Sequence, residues 1–166
     1  WRVACAPRTG KNVLVIGAGP GGLSTAYHLA RMGHQVTIHE AGPQAGGMMR
    51  YGIPKYRLPR EIVDAEVARI QSMGVTIRLN SRVDDLEATM AEGRFDAAFL
   101  ALGAHLARRV EIPGVDAKRV LDAVRFLRDT SRRAISVVVV PASRMIVSPS
   151  FTRSAAIAPI RRFCSM

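Results

Sequence analysis

A glycine-rich turn between two apolar runs is the part of this sequence best suited to hold a phosphate group. Residues 13–16, VLVI, lead into six small or turn-forming residues, Gly17, Ala18, Gly19, Pro20, Gly21 and Gly22. Gly17 permits a tight turn, Gly19 lets a pyrophosphate approach the backbone, and Gly22 allows a helix to pack closely on the strand. The N-terminus of that helix offers N–H groups and a partial positive charge of roughly half a unit to an anion.

An acid follows the second apolar run. Glu40 comes directly after residues 36–39, VTIH, and eighteen positions after Gly22. A carboxylate at this place accepts hydrogen bonds from a ribose diol and repels a 2′-phosphate. Strand, glycine turn, helix, strand and acid form the order of a dinucleotide-binding βαβ unit. The segment therefore predicts a site for FAD or NAD rather than NADP, with a plain βα turn that binds no nucleotide as the alternative.

The elements that position these residues are predicted from apolar periodicity and from turn residues. Strands are predicted at residues 13–16, 36–39, 75–79 and 95–102, the last of them buried and parallel. Helices are predicted at residues 21–32, 60–73, 84–92 and 120–129, with Asp84 or Asp85 capping the third. Residues 41–50 are too rich in glycine to continue a strand, and residues 51–61 are predicted to begin as a surface loop because of prolines 54 and 59. Alternating strands and helices predict an α/β fold with a Rossmann-like parallel sheet and flanking helices.

Composition indicates a globular protein in a reduced, cytoplasmic setting. Of the 166 residues, 48% are hydrophobic and 22% charged, and no apolar run is long enough to span a bilayer. Cys5 and Cys164 provide neither a disulfide framework nor a metal site, and the four histidines show no ligand spacing. The first residue is Trp1 and no signal-peptide pattern follows it, which indicates a fragment.

The net charge of +11 is concentrated toward one end of the chain. All 13 acidic residues and 18 of the 24 basic ones occur by Asp129, whereas residues 130–166 contain six arginines and no acid. We therefore predict a lead-in at 1–11, an incomplete FAD-binding domain at 12–129 and a basic tail of low order at 130–166. A truncated or frame-shifted end and a natural arginine-rich extension both explain the tail. Its only aromatic residues are Phe151 and Phe163, so charge alone predicts weak, salt-dependent nucleic-acid binding.

Three further segments extend the glycine motif into a family resemblance. After KNVLVIGAGPGGLSTAYHLARMGHQVTIHE come AGGMMRYGIPKYRLPREIV, FDAAFLALGA and IPGVD. Together they resemble the small-subunit (beta chain) family of NADPH-dependent glutamate synthase, within the FAD-dependent pyridine nucleotide-disulfide oxidoreductase superfamily. They are also similar to the domain of dihydropyrimidine dehydrogenase through which electrons enter. The resemblance covers residues 10–129, and GGMMRYGIPKYRLP is its most specific part.

The resemblance implies an FAD-dependent NAD(P)H oxidoreductase. In the family, NADPH delivers hydride to a non-covalently bound FAD, and electrons then pass to an iron–sulfur subunit or domain. The flavin carries this chemistry, so no catalytic side chain is assigned. By resemblance, Gly46, Gly47 and Met48 line the path of the ribityl chain and Gly103 lies near the flavin. The full predicted set is Gly17, Ala18, Gly19, Pro20, Gly21, Gly22, Glu40, Ala41, Gly46, Gly47, Met48, Leu58, Val83 and Gly103.

The sequence departs from the family pattern in two places. A second glycine-rich unit for NADPH is expected near residues 135–145, where the chain reads ISVVVVPASRM without glycine. The family also has a preceding cysteine-rich iron–sulfur domain, of which only Cys5 remains. These departures predict that the chain lacks an NADPH site, and they leave a non-catalytic FAD- or NAD-binding remnant as the alternative function.

Other oxidoreductase classes and one group of basic residues are also considered. A thiol–disulfide reductase is disfavoured because residues 44–47 contain no redox cysteine pair. A monooxygenase or amine oxidase remains open from the first motif, although the GIP segment argues against both. The basic side chains that follow the glycine pair have two interpretations, a rim around an anionic cofactor or acidic partner, or solvated surface: Arg50, Lys55, Arg57 and Arg60.

Overall fold

A computed structural model of the chain describes residues 4–104 and 121–132. All of these described residues belong to one compact unit. The IPGVD segment, the stretch at 135–145 and the tail beyond residue 132 lie outside the described residues. None of the helices in the described part has the length and apolarity needed to cross a membrane.

The described residues form a parallel sheet with flanking helices. The strands are β1 (Asn12–Ile16), β2 (Gln35–His39), β3 (Thr76–Arg78) and β4 (Ala97–Leu100). The helices are α1 (Pro20–Arg31), α2 (Gly47–Tyr51), α3 (Arg60–Gln71), α4 (Leu86–Gly93) and α5 (Ala123–Arg132). The strand order is β3-β2-β1-β4 and every neighbouring pair is parallel. This confirms the predicted Rossmann-like α/β fold class.

The hydrophobic core lies between the two central strands and α1. Val15 and Ile38 are fully buried and belong to one cluster with Leu23, Ala26 and Ala30 of α1. Burying a side chain of the valine or leucine kind contributes about 1.5–3 kcal/mol. This packing holds the carboxyl ends of β1 and β2 in place beside the start of α1.

The helix α2 was not predicted: glycine content indicated only that the strand before it does not continue, and the loop predicted from Tyr51 begins one residue too early. Gly46 and Gly47 have φ angles of 118° and 49°, left-handed values that glycine adopts without steric cost. They turn the chain into a short helix whose Arg50 and Tyr51 are buried. Tertiary burial of these two side chains therefore makes a helix where glycine content alone predicts none.

The last strand was predicted to be parallel and buried; β4 is parallel to its neighbour, as predicted, but it is not buried. β4 pairs in parallel with β1, with Val15 opposite Phe99. It lies at the edge of the sheet that the described residues form, and Phe99 and Leu100 are 45% and 56% exposed. An apolar run shows that a strand has hydrophobic faces, but it does not show which element covers them.

The predicted cap of the helix α4 is confirmed at Asp85, because its side chain accepts a hydrogen bond from the Ala88 N–H.

Candidate functional site

A cavity of about 760 Å³ lies at the carboxyl ends of β1, β2 and β4. This is the end of an open α/β sheet at which ligands bind. Most of the residues predicted to hold the cofactor line it: Gly17, Gly19, Pro20, Gly21, Glu40, Ala41, Gly47, Met48, Val83 and Gly103.

Two glycines of the first turn are required by backbone packing. The Gly17 N–H donates to the His39 carbonyl at 2.8 Å, which ties the turn to the end of β2. Gly17 has a φ of 103°, and a Cβ there would overlap the Ala101 carbonyl oxygen. A Cβ at Gly22 would overlap the carbonyl oxygen of Gly17. Both glycines therefore let α1, the turn and the end of β4 meet backbone to backbone.

The second glycine pair lies directly against the first turn. The Gly46 N–H donates to the Ala18 carbonyl at 2.7 Å, and both residues are buried. A Cβ at Gly47 would lie 2.7 Å from the Cα of Gly19, closer than a side chain can be accommodated. The two motifs are separated by about one βαβ unit in sequence. In the fold, residues 17–19 and Gly46–Gly47 lie in contact and form one continuous surface, the glycine floor of the cavity, beside the N-terminus of α1.

Glu40 is held by the backbone of the two turns that flank it. Its Oε2 accepts from the Ala18 N–H and its Oε1 from the Gly42 N–H, each at 2.7 Å. These bonds orient the carboxylate at the cavity wall. Each carboxylate oxygen has a further lone pair, so Glu40 keeps acceptor capacity for a ligand hydroxyl.

The remaining predicted residues lie behind the cavity or away from it. Ala18, Gly22 and Gly46 are buried in the contacts just described. Leu58 is half-buried in the loop before α3, where its N–H donates to the Pro54 carbonyl at 3.1 Å, and it is not among the residues that line the cavity. Contact between any of these residues and a cofactor stays a prediction.

Several cavity residues were not predicted from the sequence. Ser81 and Arg82 follow β3, and Ala101 and Leu102 follow β4, so the rule that ligands bind at strand carboxyl ends could have indicated them. The same rule covers His39, the last residue of β2, whereas no comparable signal marks Tyr51 of α2 or Arg128 of α5.

Two of the four basic residues that follow the glycine pair support the backbone. Arg50 is buried, donates from Nε to the Ala45 carbonyl at 2.6 Å and forms an ion pair with Asp64. Arg60 donates to the carbonyls of Met49 at 3.0 Å and Ile53 at 2.8 Å. Their interpretation as a basic rim is therefore replaced by one in which they fix α2 and the loop after it. Lys55 and Arg57 are exposed, and both interpretations remain for them.

The stability of the fold is expected to fall below about pH 6.5, the ordinary pKa of histidine, because of His39. His39 is 8% exposed and its Nδ1 lies 3.1 Å from the Ser81 hydroxyl. Burial, and then the charge of Arg78, lower the pKa of His39. As pH falls, the unfolded chain takes up a proton first, so stability is complete above the unfolded pKa and decreases below it.

This pH dependence is measured by thermal unfolding, followed by circular dichroism, between pH 8 and pH 5. His39→Gln should decline less steeply than the wild type over the acidic part of this range, whatever its stability at neutral pH. The exposed His28 supplies the control, since His28→Gln should keep the wild-type decline. An equal decline in His39→Gln and wild type would contradict the assignment.

The fold and the cavity define a class of protein. A parallel sheet, a glycine turn after β1 and an acid after β2 are the features of a dinucleotide-binding Rossmann domain. The sequence profile of the pyridine nucleotide-disulphide oxidoreductase family matches residues 11–147, and the chain belongs to that family.

Individual relatives agree with the resemblance to the glutamate synthase small subunit. The chain is 48% identical over 124 residues to the NADP(+)-dependent formate dehydrogenase subunit beta of Moorella thermoacetica, covering 73% of this chain and 18% of the relative. It is 38% identical over 125 residues to a putative glutamate synthase [NADPH] small chain of Cereibacter sphaeroides, covering 75% of this chain and 30% of the relative. The chain thus spans less than a third of the length of either protein.

Among solved structures, FprA of Mycobacterium tuberculosis in complex with NADPH has a similar fold. It superposes with a TM-score of 0.59 at 22% identity, over 74% of this chain and 28% of that chain. At this level of identity, the likeness concerns the fold.

Proposed function

We propose that this chain is the FAD-binding part of an NAD(P)H-dependent oxidoreductase that passes electrons through flavin to an iron–sulfur partner. The observation that carries the proposal is the position of Glu40, held by Ala18 and Gly42 at the wall of a cavity whose floor is two touching glycine turns. Such a floor admits a pyrophosphate, and the acid beside it suits a ribose that bears two free hydroxyls.

The residues of the cavity fit the adenosine diphosphate half of FAD. The backbone at Gly19 and the N-terminus of α1 would bind the pyrophosphate, because a helix start presents N–H groups without helical partners. A Cβ built at Gly19 would meet no protein atom closer than the Cα of Gly47 at 3.9 Å, so the space in front of it is available to a ligand. Glu40 would accept from the ribose hydroxyls. Gly46, Gly47 and Met48 would follow the ribityl chain, with Val83 and Leu58 against the cofactor and Gly103 near the flavin.

Bound FAD would supply hydride acceptance and single-electron release, chemistry that a side chain cannot provide. The contribution of the protein is then to bind and orient the cofactor and to exclude water from it. Accordingly, the proposal assigns no acid, base or nucleophile. The formate dehydrogenase relative is itself a beta subunit and the glutamate synthase relative a small chain, which supports a partner subunit for this chain.

A second candidate function is cofactor binding without turnover. The sequence contains no glycine after Gly114, and the second fingerprint expected near residues 135–145 would need several. On this basis we propose that the chain does not bind NADPH by itself, and that a hydride donor site must come from elsewhere.

The absorption spectrum of the purified 166-residue chain tests the first proposal. Visible flavin bands, or a saturable change on addition of FAD, are the expected result. A colourless protein that is folded by circular dichroism and does not bind added FAD would overturn the proposal. Anaerobic titration of the FAD-loaded chain with NADPH tests the second point, since prompt bleaching of the flavin would show that an NADPH site is present.

A further inference from the structure

Arg128 of α5 lines the same cavity as Gly19 and Glu40, although it belongs to none of the motifs that predict the site. Its guanidinium carbon lies 5.7 Å from the centroid of the Tyr51 ring. Tyr51 is 6% exposed and comes from α2, directly after the second glycine pair. A guanidinium that rests on a buried aromatic ring is positioned without using its N–H donors.

The charge of Arg128 is not neutralised by a carboxylate in the part of the chain that the structure describes. The other arginine that lines the cavity, Arg82, is paired with Asp84 at 2.7 Å. On α5 itself, Arg125 is paired with Asp129 at 4.0 Å. No ion pair of the described residues involves Arg128. Arg128 therefore brings a positive charge without an ion-pair partner among the described residues to a cavity that also contains the Glu40 carboxylate and the N-terminus of α1.

We propose that Arg128 binds the phosphate groups of the dinucleotide. The planar guanidinium carries N–H donors along its edge that match two phosphate oxygens, and such charge-assisted pairs are among the stronger hydrogen bonds in proteins. Glu40 is assigned to the ribose, and neither an oxidised flavin ring nor an adenine ring carries a full negative charge to attract a guanidinium. The phosphates are thus the part of the ligand that Arg128 suits. This inference rests on the proposed function, and it adds α5 to the elements that build the site.

Arg128→Gln in the full 166-residue chain tests the assignment. Isothermal titration with FAD and with ADP should show about tenfold weaker binding of each, the loss expected for one charge-assisted hydrogen-bonded contact. Adenosine lacks phosphates, so its dissociation constant, measured by competition with FAD, should be the same for the variant and the wild type. Arg128→Lys should restore part of the loss, because it keeps the charge but not the planar donor edge. Arg125→Gln, on the same helix but paired with Asp129, should bind like the wild type.

The outcomes separate the two proposals. If the wild-type chain binds no FAD, the proposed function fails and the role of Arg128 fails with it. If the wild type binds FAD and Arg128→Gln binds ADP equally tightly, the role of Arg128 alone is overturned. An equal loss for ADP and adenosine would also overturn it, since it would show that Arg128 supports the shape of the cavity through Tyr51 rather than the phosphates.

Discussion

Gly22→Ala is expected to abolish FAD binding and to lower the free energy of unfolding by about 3 kcal/mol, at the upper end of the cost of overpacking. The added Cβ would overlap the Gly17 carbonyl oxygen, a backbone atom that cannot rotate away. Gly17 is itself bonded to the end of β2 through its N–H, so α1 would have to move away from the sheet. The first turn of α1, which is the proposed phosphate site, would move with it.

Two neighbouring glycines provide matched controls for this experiment. A Cβ at Gly21 meets nothing within 4 Å, so Gly21→Ala should leave the melting temperature unchanged or slightly raised, since alanine favours a helix by about 0.5–1 kcal/mol. Gly19 has a φ of −78° and room for a Cβ, so Gly19→Ala should fold normally but bind FAD more weakly, because its methyl group stands where the phosphates approach. Thermal unfolding and FAD titration of the three variants separate the two roles. A Gly22→Ala variant with the wild-type melting temperature would contradict the packing argument.

Glu40→Ala is expected to weaken FAD binding by about 100-fold, the equivalent of one or two hydrogen bonds to a charged group at roughly 1.5–3 kcal/mol each. The substitution removes the proposed acceptor for the ribose. It also removes the carboxylate that holds the Ala18 and Gly42 N–H groups, so both turns lose an anchor. The same variant should lose the preference for ADP over its 2′-phosphorylated analogue, because the repelling charge is gone.

Fluorescence titration with FAD, followed by competition with the two nucleotides, measures both effects. The exposed Glu92 at the end of α4 is the control, since Glu92→Ala changes the net charge equally and should bind FAD like the wild type. Wild-type FAD affinity in Glu40→Ala would refute the assignment of the ribose to Glu40. An unchanged nucleotide preference would refute the argument for FAD or NAD over NADP.

Residues close together in the chain were sufficient to predict the centre of this fold. The β1–α1–β2 unit, the glycine turn and the position of Glu40 were all predicted correctly, because each depends on residues close together in the chain. A strand needs an apolar run, a turn needs a residue without a Cβ, and the helix that follows needs an apolar stripe toward the sheet. These conditions can be read within about thirty residues, the length of one such unit.

The rest of the site depends on contacts between distant segments. Gly46 and Gly47 were recognised by resemblance, but only packing shows that they touch Ala18 and Gly19 and that α2 follows them. The apolar run of β4 predicts a strand, whereas its exposure depends on which elements lie beside it.

The placement of Arg128 on the ring of Tyr51 joins two helices that are far apart in sequence. No periodicity in either helix encodes that contact, since each pattern describes only its own segment. The residue types proposed to contact the phosphates and the ribose were evident in the sequence itself. Which further side chains share their cavity was set by tertiary packing, because burial and charge at a site arise from segments that meet only in the folded chain.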